Sequence, residues 1–216
     1  AARYLEYTIK DGNTVGVSMG STLYEVISHV MHPEAKRVTF VPIVGGVGRV
    51  RMELHANSLA ESLSRIYDGK FVPLHAPARV SSRNIRDELL KEDSLLPAIY
   101  LTQKLDIAVV GIGYPNEKSA IMATGYFKEN EIESLIDRKV AGELCMQFYD
   151  IYGDTAPYKD DNNVIGMDIS MLRSVPRSIG IAGGVEKLRA VRGAINGHYI
   201  NTLITDIECA EALISE

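Results

Sequence analysis

The chain has 216 residues, 46% hydrophobic and 24% charged, the make-up of a globular domain large enough for one sizeable core. Its formal net charge of −5 comes with no basic stripe of the kind a free-standing nucleic-acid binder shows; the densest basic groups are Arg49 with Arg51 and the Lys187, Arg189, Arg192 series. Apolar stretches break well before the roughly 20 residues that span a bilayer, no signal-peptide layout opens the chain, and the two cysteines, Cys145 and Cys209, lack zinc or disulfide-framework spacing, so a cytoplasmic protein without metal, cofactor or membrane partner is expected.

Residues 15–19 read as a buried strand, followed by a helix over 22–31 with Leu23, Val26, Ile27 and Val30 on one side. Residues 38–44 form a second strand ending at Gly45-Gly46-Val47-Gly48. Asn57 opens a helix whose Leu59, Leu63 and Ile66 recur at helical spacing before Gly69. A short strand over 71–74 closes at Pro77, and 83–104 carries one or two helices broken near Pro97. Runs at 107–111, 177–182 and 201–205 are further strands. Between them, 153–168 is polar, with Pro157, Asp160 and Asp161, and is expected to be an irregular or hairpin insertion near the site mouth, a solvated loop or a lid. The alternation predicts one α/β domain over 1–216, with a mainly parallel, Rossmann-like sheet covered by helices on both faces and the runs at 15–19, 38–44, 107–111, 177–182 and 201–205 as central strands. Ligands of such sheets bind beyond the carboxyl ends of the strands.

Two glycine-rich turns lie at those ends. Gly20-Ser21-Thr22 and Gly183-Gly184…Lys187 each join an apolar run to an amphipathic helix, which lets a ligand approach unpaired helical N–H groups where the helix dipole favours negative charge. Ser21 and Thr22 add hydroxyl donors and Lys187 adds a positive charge. Either turn by itself is equally a tight strand-to-helix connection; the pair points to a phosphorylated or polyhydroxylated small molecule. His55 and Asn57, past the Gly45-Gly46 turn, are candidate hydroxyl partners, and Asp206 is expected to cap the helix that follows it.

The blocks Gly-Val-Ser-Met-Gly-Ser-Thr (16–22), Val-Pro-Ile-Val-Gly-Gly-Val-Gly (41–48), Asn57-Ser-Leu-Ala, Val-Pro-Leu-His-Ala-Pro (72–77), Leu-Asp-Ile-Ala-Val-Val-Gly-Ile-Gly (105–113), Val-Ala-Gly-Glu-Leu-Cys-Met-Gln-Phe-Tyr-Asp (140–150), Ile-Ala-Gly-Gly-Val-Glu-Lys (181–187) and Leu-Ile-Thr-Asp (203–206) occur in an order that resembles the sugar-binding domain of SorC-type transcriptional regulators over nearly the whole chain. The resemblance implies a fold like glucosamine-6-phosphate deaminase and ribose-5-phosphate isomerase. It implies operator DNA bound only through an N-terminal helix-turn-helix segment that this chain does not carry, and a homo-oligomer, dimer or tetramer. It also implies a sugar-phosphate or polyol effector with Gly20, Ser21 and Thr22 on one side, Gly183, Gly184 and Lys187 on another, Gly45, Gly46, Gly111 and Gly113 at the strand ends, and Glu143 accepting from sugar hydroxyls.

The same fold hosts enzymes, and fold does not fix function. The deaminases follow Gly-Ile-Gly with Asp-Gly-His, whereas Gly111-Ile112-Gly113 is followed here by Tyr114-Pro115-Asn116-Glu117-Lys118, without that acid–base set. Some relatives that take phosphorylated sugars carry a cation before the second-block Gly-Gly or before Gly-Tyr-Phe. This chain has Val44 and Met122-Ala123-Thr124 there, so a monophosphate or an uncharged polyol is expected rather than a bisphosphate.

Overall fold

The computed structural model describes residues 1–48, 51–115 and 124–215. The strands are β1 (Thr14–Val17), β2 (Thr39–Pro42), β3 (Lys70–Phe71), β4 (Ile107–Gly111), a hairpin of β5 (Gly142–Leu144) and β6 (Gln147–Tyr149), then β7 (Arg177–Ile181) and β8 (Thr202–Ile204). Six of them form a sheet in the order β3-β2-β1-β4-β7-β8, every neighbouring pair parallel. The strands are apolar on both sides because both faces are covered. In β4, Ala108 and Val110 join one core cluster and Ile107 and Val109 the other, as the two-residue period of a strand requires.

Helices α1 (Ala2–Thr8), α2 (Ser21–Ser28) and α3 (Ala56–Ile66) cover one face with Leu5, Leu23, Ile27, Leu59 and Leu63. Chain order continues with α4 (Arg83–Leu89), α5 (Leu96–Thr102), α6 (Glu129–Asp137), α7 (Leu188–Asn196) and α8 (Ile207–Ser215). The other face is packed by Ala98 of α5, Ile132 and Leu135 of α6, Ala190, Val191 and Ala194 of α7, Cys209 of α8 and the hairpin. Each fully buried Val, Leu or Ile contributes about 1.5–3 kcal/mol. The chain winds outward from β1 to β3, returns to place β4 beside β1, and winds the other way to β8. That reversal opens a crevice at the carboxyl ends of β1 and β4, the switch point at which such sheets hold ligands.

Several expectations change. The first two strands stop at Val17 and Pro42, and the run at 201–205 is an edge strand, not a central one. Pro97 sits in the first turn of α5, where its missing N–H costs nothing; the break lies between Leu89 and Leu96. Helix α1 precedes the first strand. Residues 153–168 are the irregular segment expected, exposed at Asp154, Ala156, Pro157, Lys159, Asp160 and Asp168, but with a buried side. Tyr158, Val164, Ile165 and Met167 are buried, Val164 bridges Arg79, Gly166 bridges Val44, and the Tyr158 hydroxyl donates to the Arg138 carbonyl. The acidic residues masked that apolar set, and the hairpin lies just before the segment, at 142–149. Arg49 and residues 116–123 lie outside the described residues. Among the described residues no helix is long and apolar enough to cross a membrane.

Candidate functional site

Beyond Val17 the chain stays pinned to β4. The Ser18 N–H donates to the Val109 carbonyl at 3.0 Å, and the Ser18 hydroxyl accepts from the Gly111 N–H at 3.2 Å. Gly20, at φ 124, then turns the chain into α2, a conformation that L side chains resist. Its own N–H goes to the Leu54 carbonyl at 3.0 Å, while the N–H groups of the first helical turn have no intrahelical partners. Ser21 is exposed there and Thr22 half-buried. Between the two strand ends lies a cavity of about 40 Å³ lined by Ser18, Met19, Gly20, Gly111, Thr124, Glu143, Cys145 and Met146.

Glu143 enters from the hairpin. Its N–H and carbonyl pair with Gly113 at 2.9 and 3.0 Å, which fastens β5 to the end of β4. A Cβ at position 113 would collide with Glu143 Oε1, so glycine here makes room for the carboxylate. Oε2 accepts the Met146 N–H at 2.8 Å. Desolvation pushes the carboxyl up to about 7, against the opposing pull of the Met146 N–H and the Lys187 ammonium. Cys145 and Met146, at φ 52 and 63, make the two-residue turn between β5 and β6. Such turns prefer Asn-Gly, and a non-glycine residue in the left-handed region costs about 1 kcal/mol or more.

The second glycine turn is built differently. The Gly184 N–H donates to Asp206 Oδ2, and Asp206 Oδ1 accepts the Cys209 N–H at 2.8 Å. Asp206 therefore caps α8, as expected, and also ties the turn to it; these bonds hold its carboxyl below the usual range. Gly183 leaves room for the same carboxylate. Lys187 closes a 3₁₀ turn, Val185–Lys187, immediately before α7 rather than standing inside the helix, and is half-buried.

Two expected contributors serve the fold instead. Gly45 and Gly46 donate to the Ile165 and Ala76 carbonyls at 2.9 and 2.8 Å, and the Gly46 carbonyl accepts from Ala78 N–H and the Tyr126 hydroxyl at 2.7 and 3.1 Å. With both N–H groups used, this turn is no anion cradle; Gly45 is required because a Cβ would sit 2.6 Å from the Pro77 oxygen. The Asn57 carboxamide is committed at both ends to Leu74, donating to its carbonyl and accepting its N–H, each at 3.0 Å. His55 stands at the start of α3 and does not line the cavity. Sequence reasoning passed over Ser18, Met19, Thr124, Cys145 and Met146. All but Thr124 stand inside motif blocks, beside the glycines and the carboxylate that drew attention. Among the described residues no group of three or more His, Cys, Asp or Glu side chains could hold a metal ion.

A parallel sheet with a crevice at its switch point, lined by Met19, Cys145 and Met146 with the polar groups of Ser18, Thr124 and Glu143 among them, defines a small-molecule-binding α/β domain. Residues 1–215 match the family model described as "Putative sugar-binding domain", and the chain belongs to that family, the sugar-binding domains of SorC-type transcriptional regulators. It is 28% identical over 217 residues to the deoxyribonucleoside regulator of Bacillus subtilis, covering 100% of this chain and 68% of that one. The solved full-length sorbitol operon regulator of Klebsiella pneumoniae superposes with a TM-score of 0.88 at 30% identity, over 99% of this chain and 70% of that one. A transcriptional regulator from Streptococcus pneumoniae gives 0.91 at 25% identity, over 99% and 82%. With its relatives named as regulators, the enzyme alternative falls.

Proposed function

We infer that this chain is the effector-sensing domain of a transcriptional regulator of carbohydrate metabolism, and that its effector is a sugar monophosphate or a polyol held at the β1/β4 switch point. The observation that carries this reading is the crevice between the ends of β1 and β4, which brings the Glu143 carboxylate together with Ser18 and Thr124 beside Gly20 at the start of α2. A phosphate takes the first-turn N–H groups of Ser21 and Thr22, the Gly20 N–H being held by the Leu54 carbonyl, together with the Lys187 charge. The hydroxyls take Glu143, Ser18 and Thr124, with Gly111, Gly113, Gly183 and Gly184 keeping the walls thin. In the whole protein, operator DNA is contacted through a separate helix-turn-helix segment, and the domain self-associates, because regulators that read two half-sites need two-fold related subunits.

A thermal-shift screen of sugars beside their phosphates, repeated on Lys187→Ala and Glu143→Gln, tests the reading. Stabilisation by a phosphorylated sugar that both variants weaken is expected; binding unchanged in both places the effector elsewhere. The chain alone should give no gel-shift complex with DNA at physiological salt, and turnover of a panel sugar phosphate would return it to the enzymes.

A further inference from the structure

We propose that the Cys145–Met146 turn is the wall of this crevice that yields when a ligand enters, with Glu143 as its latch and Met146 as the residue that sets which sugars fit. The proposal rests on the effector-site reading above. A cavity of about 40 Å³ has room for about one water molecule, whereas small-molecule sites begin near 300 Å³. A sugar therefore needs a wall to move, and most of the described walls are fixed. Ser18 and Gly111 are bonded to each other and to β4, and Gly20 is bonded to Leu54.

The Thr124 wall is strapped down as well. Its hydroxyl accepts the Tyr126 N–H at 3.2 Å. Arg79 donates to the Tyr126 carbonyl at 2.6 Å and to Glu131 at 3.1 Å, and stacks 4.2 Å from the Phe127 ring centroid.

Both hairpin strands are anchored too. Glu143 pairs with Gly113, the Gln147 carboxamide donates to the Met167 carbonyl at 2.8 Å and accepts the Ile169 N–H at 3.2 Å, and the Tyr149 hydroxyl donates to the Ala190 carbonyl at 3.0 Å. Apart from the Met19 side chain, which stands on the pinned 18–20 segment, what remains among the described walls is the turn. It holds two non-glycine residues at φ 52 and 63, both side chains are buried against the cavity, and the Met146 N–H is held by the Glu143 carboxylate. A ligand hydroxyl donating to Glu143 competes with that N–H, so binding and release of the strained turn are one event. Methionine, unbranched and with three rotatable bonds, repacks readily as the turn swings.

The chain's only two cysteines are both buried, and burial pushes the Cys145 thiol up, so its alkylation requires opening. Cys209 lies in α8, off the cavity lining, and serves as the reference thiol. In the ligand-free chain under native conditions, iodoacetamide should label Cys145 about tenfold or more faster than Cys209. Glu143→Gln, which weakens the charge-assisted bond, should raise that ratio several-fold, and Met146→Asn, a residue at ease in the left-handed region, should lower it. Should Glu143→Gln destabilise the whole domain, both thiols speed up together and Met146→Asn decides. Equal rates for the two thiols, or a ratio unmoved by either variant, would overturn the proposal. Met146→Ala should shift the panel preference toward longer sugars, and an unchanged rank order removes its size-setting role. The thiol ratio needs no ligand, so it fails or holds separately from the effector reading, which Lys187→Ala judges.

Discussion

The turns at Gly20-Ser21-Thr22 and Gly45-Gly46 both leave the carboxyl end of a parallel strand in small residues, and they diverge in where their N–H groups go. After β1 the chain turns at Gly20, beside the switch-point crevice, into α2, so the first-turn donors of Ser21 and Thr22 have no intrahelical partner. After β2 it continues extended between residues 76–78 and 164–166, and both glycine N–H groups are consumed by carbonyls. A glycine pair marks a close approach of backbone; what approaches, a ligand or another strand, depends on the neighbouring segments.

The largest expected effect tests the structural member of that pair. A Cβ at Gly45 meets the Pro77 and Ala76 oxygens at 2.6 and 2.7 Å, so Gly45→Ala should cost about 3 kcal/mol in urea unfolding while leaving phosphate binding by the folded fraction intact. Loss of binding at full stability would put the anion at the wrong turn. Next, Lys187→Ala should weaken a phosphorylated sugar by about ten- to a hundredfold, the worth of one charge-assisted bond, and leave an uncharged polyol nearly unchanged in calorimetric titration.

Glu143 supplies the pH-dependent test. Its carboxyl is raised from 4.5 to about 7 on folding, so between those values the folded state binds the extra proton. The contribution of this group to stability is fully present below about pH 4.5 and is lost as pH climbs through about 7, roughly 3 kcal/mol in all. Glu143→Gln should flatten that slope in denaturation curves taken across the range; an unchanged slope assigns the proton elsewhere. Gly20→Ala meets no atom within 4 Å and suffers only its φ of 124, so it should cost about 1–2 kcal/mol of stability and, unlike Gly45→Ala, weaken phosphate binding. The smallest effect is Ser21→Ala, an about two- to fivefold loss for a phosphorylated ligand from one neutral hydrogen bond.

Much of the fold was legible because it follows from local pattern. The Ile107–Gly111 run was read with its observed bounds, since a strand buried on both faces is simply apolar. Gly20, Ser21 and Thr22 at a helix start and Asp206 as a cap were likewise readable, because a strand-to-helix turn and an N-cap are events of a few adjacent residues. Glu143 and Lys187 were singled out from motif blocks and family resemblance. Their mutual electrostatics was not, since 44 positions separate them and only the packing of the hairpin beside β4 and α7 brings their charges within range.

Sequence by itself determined the alternating strands and helices, the parallel sheet and the family, all carried by periodicity and ordered short blocks. Tertiary structure alone decided that β8 is an edge, that the Asn57 carboxamide and the Gly45-Gly46 donors are spent on backbone, that 153–168 is part of the core surface, and that Cys145 and Met146 form a strained turn on the crevice. The physical reason is shared by all four. A backbone N–H or a carboxamide has the same chemistry whether it meets a ligand, a carbonyl or water, and only the segment that folds against it, often scores of residues away, fixes which.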